Sequence, residues 1–396
     1  MLPNINIQVQ NGRLGQIGAT DDGVAAMIVQ GVANNGVGYW TPYVFYGLAD
    51  AQQRGFTAAY DERNSCRCFK HIKEFYDEAG LSAELHVMVT PQTVTYPNLF
   101  LESGELARIR TWLLGVNGRI KLLAVTRSSS VATSVVGGMS NEIALLAPPL
   151  NEFGNYLVSK YAPIRVLVEA RDMDFTGNAA SVLDIKTLNC PFMGVVVGDT
   201  KLTSAGSAAG LVLGRLAKLP VQRNLARVKD GNINTLGVYY ASVRVEDAPM
   251  LVEALDNKGF ICFRKHIGRA GYFLSDDPMA TLSTDDFNKM AHGRVIDKVV
   301  RLAYQTYLGY LNDEIRINPT SGRIEAASIK SYQAAIERVI NLSMTANSEI
   351  SAVKAAVDPM QNVLSTNKIC VDIAIVPVGY AREIVVKLGF DNPQNS

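Results

Sequence analysis

Four near-continuous apolar runs, set apart by segments of helical periodicity, constrain this chain more than any other feature. They are Glu84-Leu-His-Val-Met-Val, Ile120-Lys-Leu-Leu-Ala-Val, Ile164-Arg-Val-Leu-Val and Met193-Gly-Val-Val-Val. A strand that is apolar on both faces must be covered on both faces, and helical crossovers between such strands bring them together in parallel. The intervening segments have the required spacing. Phe69, Ile72, Tyr76 and Ala79 share one helix face and stop at Gly80. Leu106, Ile109 and Leu113 share a second, and Leu150, Phe153 and Leu157 a third. An Ala/Gly-rich helix is expected from about 204 to 216. The fold class predicted for residues 21–235 is therefore α/β, a largely parallel sheet with flanking helices.

The polar stretch Asp230-Gly-Asn-Ile-Asn is read as a domain boundary, and a C-terminal α/β domain is expected over 236–380, making the whole chain α+β. Within it, 237–245 and 260–264 read as strands with a helix near 248–257 between them. Ala291, Val295, Val299, Leu302 and Thr306 give a long helix, and 314–324 a short strand closed by a Pro/Ser/Gly turn. A second amphipathic helix over 326–342 carries Ile329, Tyr332, Ile336 and Val339 on its apolar face. Strands follow at 370–376 and 383–390.

Both ends of the chain read as strands with one apolar side. Ile5, Ile7 and Val9 alternate with Asn and Gln over residues 1–20, and Ile384, Val386 and Leu388 alternate over 381–396. Such arms either pair within their own domain or complete the open sheet edge of a neighbouring subunit.

Composition excludes several classes. With 38 basic against 37 acidic residues, the net charge is +1 and no basic tail occurs, which argues against nucleic-acid binding as the main role. No apolar stretch is long enough to span a bilayer and no secretory signal is read, so membrane insertion is not expected. Five cysteines in 396 residues do not make a disulfide framework. No Gly-Lys dipeptide occurs, which removes the phosphate-binding loop, and neither a nucleophile elbow nor a zinc helix motif is present. Gly206, Gly210 and Gly214 are four apart, the spacing of close helix packing. Cys66, Cys68 and His71 are the best metal candidates, but without a fourth ligand an inward-packed helical turn is preferred. The acidic pairs Asp21-Asp22, Asp276-Asp277 and Asp285-Asp286 are read as helix or loop caps. Catalytic, cofactor-binding and metal residues are therefore expected to be none, and an enzyme is not predicted.

Three segments, Phe263–Thr281, Arg294-Val-Ile-Asp-Lys-Val-Val and Asp358-Pro-Met-Gln-Asn-Val-Leu-Ser, together with the terminal strands, resemble the contractile tail sheath proteins of phages and phage-derived injection systems. The likeness is to a divergent single-chain branch; it covers about 237–390 and the N-terminal arm, and is architectural over 21–235. It implies a subunit of stacked hexameric rings around an inner tube, contracting to drive that tube through a cell envelope. Further implied are self-assembly, contacts with tube, baseplate and tail terminator proteins, assembly in the bacterial cytoplasm, and no cofactor. It also favours strand exchange by Ile5, Ile7, Val9, Ile384, Val386 and Leu388. Lys330, Gln333, Glu337 and Arg338 are then the candidates for facing the tube. The alternative is a soluble α/β enzyme or small-molecule-binding protein with an oligomerising C-terminal domain.

Overall fold

The computed structural model describes residues 21–128, 131–175 and 181–389. The chain divides into two compact units, Met1–Ile317 and Asn318–Ser396.

The first unit is a three-layer α/β body. β1 (Ala25–Gly31) is followed by β2 (Pro42–Phe45), α1 (Leu48–Arg54), α2 (Ala58–Asn64), α3 (Cys68–Ala79) and β3 (Leu85–Pro91). Then come α4 (Tyr96–Phe100), α5 (Leu106–Gly115), β4 (Leu122–Val125), the short hairpin β5–β6 (Val135–Val136, Met139–Ser140), α6 (Glu142–Ser159) and β7 (Arg165–Glu169). β8 (Met193–Val197), α7 (Ala209–Lys218), the hairpin β9–β10 (Tyr239–Tyr240, Val243–Arg244), α8 (Pro249–Asn257), β11 (Ile261–Arg264), β12 (Phe273–Leu274) and α9 (Met290–Leu308) complete it. Eight strands make one sheet in the order β12-β11-β8-β7-β4-β1-β3-β2. The six inner strands are parallel, and β2 and β12 close the edges antiparallel.

All four apolar runs are buried strands of that sheet, as their double-sided coverage requires. In this unit two elements and the C-terminal limit differ from the sequence reading. The segment 237–245 is a hairpin rather than one strand, because Ala241 turns the chain at φ 52°. Helix α7 begins at Ala209, since the preceding loop is held by side-chain acceptors: Gly206 N donates to the Ser204 hydroxyl and Ser207 N to the buried Glu169 carboxylate. The compact unit also runs past the boundary read at 235/236. β11 is paired with β8, and α9 is bound to β7 by Arg165, whose guanidinium meets both carboxylate oxygens of Asp297 at 2.7 and 2.8 Å. A bidentate buried pair of this kind fixes both position and rotation of a helix.

The glycine spacing in α7 has its reason in the layer beneath. A Cβ at Gly210 would stand 2.2 Å from the carbonyl oxygen of His71, and one at Gly214 2.4 Å from that of Phe75, so α3 and α7 touch backbone to backbone. The acidic pairs act as caps and partners: Asp277 accepts from Ala291 N at the start of α9, and Asp285 from Phe287 N. Lys298 binds Asp22 at 2.6 Å.

The second unit is small. A turn at residues 318–322, held by the Asn318 side chain, leads to α10 (Ala326–Ile340), β13 (Ala352–Val357), α11 (Val363–Thr366) and β14 (Val371–Val376). The strand read at 314–324 is absent as a regular element, and β13 is an element the sequence reading did not contain. Its core is Ile324, Ile336, Ile340, Met344, Ile350, Ala355 and Val357.

Replacing Gly214 by alanine is expected to lower the stability of the first unit by about 1–3 kcal/mol, since the added methyl meets backbone that must shift. Urea unfolding of the purified chain checks this; an unchanged midpoint would show that the two helices separate freely.

Candidate functional site: a filled crevice and an open sheet

In a parallel sheet ligands enter where the strand order reverses, outside the carboxyl ends of the strands. Here the chain runs from β1 to β3 on one side and then crosses to β4 on the other, so the reversal lies between β1 and β4. The chain's own side chains fill that crevice. Gln30 at the end of β1 accepts from Ser128 N at 3.0 Å and donates to the Val94 carbonyl. Arg127 is 1 % exposed; its backbone N–H donates to Glu169 at 2.8 Å and its guanidinium pairs with Glu142. Glu142 in turn accepts from Tyr96 N, and the Tyr96 hydroxyl donates to the Glu169 carbonyl oxygen at 3.1 Å. Arg171, equally buried, donates to the Ser128 carbonyl.

One carboxylate joins this plug to the helical layer. Glu169, fully buried, accepts a salt bridge from Arg67 at 2.7 Å and the Ser207 N–H at 3.2 Å, and faces the His71 ring at 3.6 Å. Arg67 also reaches Asp199, which Lys70 binds at 2.7 Å, and Lys70 binds Glu74 at 2.8 Å. Burial alone would raise the Glu169 carboxyl, but Arg67, His71 and Arg171 hold it well below the usual carboxylate range. Asp199 behaves alike: burial is outweighed by Lys70 and Arg67, bringing it to about 2. His71 is raised, because Glu169 and Glu74 outweigh the burial that would lower it. The sequence-derived metal candidate is therefore divided: His71 faces carboxylates while Cys66 and Cys68 point elsewhere.

The second unit offers a different surface. β13 and β14 form an antiparallel pair from Ala352↔Val376 to Val357↔Val371, and among the described residues no third strand joins them. Two strands alone are marginal in water; a third strand or a covering helix is what stabilises them. Helix α10 supplies one cover through Ile336 and Ile340, with Ile329, Tyr332 and Val339 half-buried, close to the face read from sequence. Lys330 and Arg338 are exposed and Gln333 is half-buried. Glu337 corrects the expected outward set: its carboxylate accepts from Ala355 N at 2.7 Å and so ties α10 to β13. Beyond β14, residues 383–389 have no regular structure, because a strand needs a ladder and the described chain offers none there. Ile384, Val386 and Leu388 are 79, 69 and 93 % exposed. Ile5, Ile7 and Val9 lie outside the described residues.

The two shifts around Glu169 act at opposite ends of the pH scale. Asp199, lowered when folded, contributes stability that is present above about pH 3.8 and lost as pH falls through about 2; His71, raised, contributes stability lost as pH rises through its folded value. Glu169→Gln is expected to cost about 3–5 kcal/mol, because it leaves Arg67 buried without its main counter-charge. Denaturant titrations at neutral pH check the variant; a cost below about 1 kcal/mol would show that Arg67 re-pairs with Asp199 alone.

No protein of curated function matches the chain by sequence. Among solved structures, the sheath of an extracellular contractile injection system (PVC) in the contracted state is 11 % identical, with a TM-score of 0.63 over 100 % of this chain and 99 % of that one. The helical sheath of the anti-feeding prophage in the contracted state is 14 % identical, with a TM-score of 0.62 over 99 % of each chain. A sheath tail protein from Desulfitobacterium hafniense is 11 % identical, with a TM-score of 0.51 over 94 % of this chain and 100 % of that one. At these identities the likeness is one of fold. The sequence itself matches two domains of one family, "DUF2586, N-terminal domain" over residues 2–278 and "DUF2586, C-terminal domain" over 286–395. With nearly its whole length so matched, the chain belongs to the DUF2586 family.

Proposed function

We propose that the chain is the structural subunit of a contractile sheath: stacked hexameric rings around an inner tube, whose contraction drives the tube through a cell envelope. The observation that carries this reading is the correspondence of fold with sheath proteins over at least 94 % of the chain. The filled crevice supports it, because the position where an α/β enzyme of this topology admits a ligand is occupied by Arg127, Arg171 and Gln30. The particle assembles in the bacterial cytoplasm and joins tube, baseplate and terminator proteins.

Rings hold together through strand exchange in this reading. The open β13–β14 pair is the acceptor, and the alternating segments with Ile5, Ile7 and Val9 and with Ile384, Val386 and Leu388 are the donors. Four exposed apolar side chains, Val385 among them, on a segment without a ladder support the donor role. Strand hydrogen bonds persist while the bodies they link rotate, which suits a lattice with two packings. Lys330, Gln333 and Arg338 on α10 form the tube-facing stripe, with Glu337 retained as the anchor of that helix. Exposed charges suit a contact that must release, since each pair is worth only about 0–1 kcal/mol and is screened by salt.

Negative-stain microscopy of the purified chain tests the assembly. Long hollow cylinders are expected, and deleting 1–20 or 381–396 should abolish them while the melting of the first unit is unchanged. Normal cylinders from both truncations would sink strand exchange, and a compact oligomer from the intact chain would sink the sheath reading itself. Reversing charge with Lys330→Glu and Arg338→Glu should reduce tube-filled sheaths co-assembled at moderate salt and leave empty ones intact. An undiminished yield of filled sheaths would remove α10 as the tube contact.

A further inference from the structure

We propose that Asp61, Cys66 and Cys68 form a binding site for a thiophilic divalent cation of the zinc class, opening onto the groove beside α3. The carboxylate and both sulfur atoms lie within 4.8 Å of one another. A tetrahedral zinc with bonds of roughly 2.3 Å to sulfur and 2.0–2.2 Å to oxygen holds its ligand atoms roughly 3.5–3.8 Å apart, so small side-chain adjustments close the site.

The carboxylate is already oriented. Phe69 N donates to Asp61 Oδ1 at 3.0 Å and Lys70 N to Oδ2 at 2.9 Å, the outer contacts that fix a ligating carboxylate. Cys66 Sγ lies 3.3 Å from Asp61 Oδ1 and donates to it, while Cys68 Sγ donates to the Gln30 carbonyl at 3.1 Å. Glycine at position 31 makes the room beside Cys68: a Cβ there would stand 2.9 Å from the Cys68 sulfur and 2.5 Å from the Tyr60 hydroxyl. Asp61, Ser65 and Cys66 line a groove of about 1230 Å³, whereas Cys68 is buried and is not part of its lining. The fourth position is left to water or to a ligand in that groove.

Binding replaces two S–H protons by one cation. The proton on Cys66 and the proton on Cys68 are released to solvent, the thiolates and the Asp61 carboxylate bind the metal, and no electron is transferred. The site then carries two thiolates, one carboxylate and a doubly charged ion, a net charge of −1, close to the cationic Arg67 and Lys70. Because both thiols must lose their protons for the metal to bind, affinity falls as pH falls.

The test uses the full chain carrying Cys370→Ser, which removes the exposed thiol, with cobalt(II) as optical probe and zinc as competitor. One equivalent of cobalt is expected to bind with thiolate-to-metal absorption and the strong visible bands of a tetrahedral site, and zinc should bleach both. Cys66→Ser should lower zinc affinity by more than about 100-fold, beyond the 10–100-fold that loss of a supporting partner costs, with the metal-free melting temperature unchanged. A cobalt spectrum without thiolate absorption overturns the site, and that result needs no variant. Equal affinity in Cys66→Ser and Asp61→Asn also overturns it, by moving the metal elsewhere.

Discussion

The Glu169 carboxylate at the end of β7 is the contact on which the first unit depends. It is the last residue of an apolar strand, fully buried, and its neighbours come from α3, from the end of β4 and from the loop before α7. A lone carboxylate in such a position would cost several kcal/mol; with Arg67, His71 and two backbone N–H groups around it, the charge becomes the point that fixes where the helices stand. Glycines 206, 210 and 214 then let α7 and its leading loop approach closely enough for those contacts to be made.

Filling a crevice with ions has a cost in stability relative to filling it with methyl groups, and a gain in definition. Apolar side chains slide past one another with little preference, whereas Arg127, Arg171 and Arg67 each accept one arrangement of acceptors. Arg165 and Asp297 repeat the device between β7 and α9. The result is a body whose layers are held by directional contacts at both ends of the sheet.

Much of this was legible in the sequence, for a local reason. The strands 85–91, 122–125, 165–169 and 193–197 announce themselves because burial on both faces demands unbroken apolar runs, and α3, α5 and α10 because one-sided burial imposes a period. Glu169, Arg67 and Asp199 could not be read, since their partners lie about a hundred residues apart and the polar letters look the same on a surface. Asp61 escaped as a neighbour of Cys66 and Cys68 for a related reason: α2 and α3 fold back on each other through a turn with Ser65 at φ 47°, which spacing alone does not reveal. β13 was missed because Ala352–Val357 carries three alanines and a lysine, a weak alternation that becomes a strand only against α10 and β14. The boundary near 235 was misplaced because a polar, glycine-bearing loop looks alike inside a domain and between domains, while the pairing of β11 with β8 is long-range.

The modest size of the second unit carries a thermodynamic consequence. Among the described residues its core is seven buried apolar side chains under a two-stranded sheet, a pairing that is marginal in water by itself. Any neighbour that adds a strand to β13 or β14 binds only the ordered form, so by mass action the ordering of this unit and its association are one equilibrium. Were that neighbour a second copy of this chain, the unit's apparent melting point would rise with protein concentration, and dilution would act on it as a denaturant.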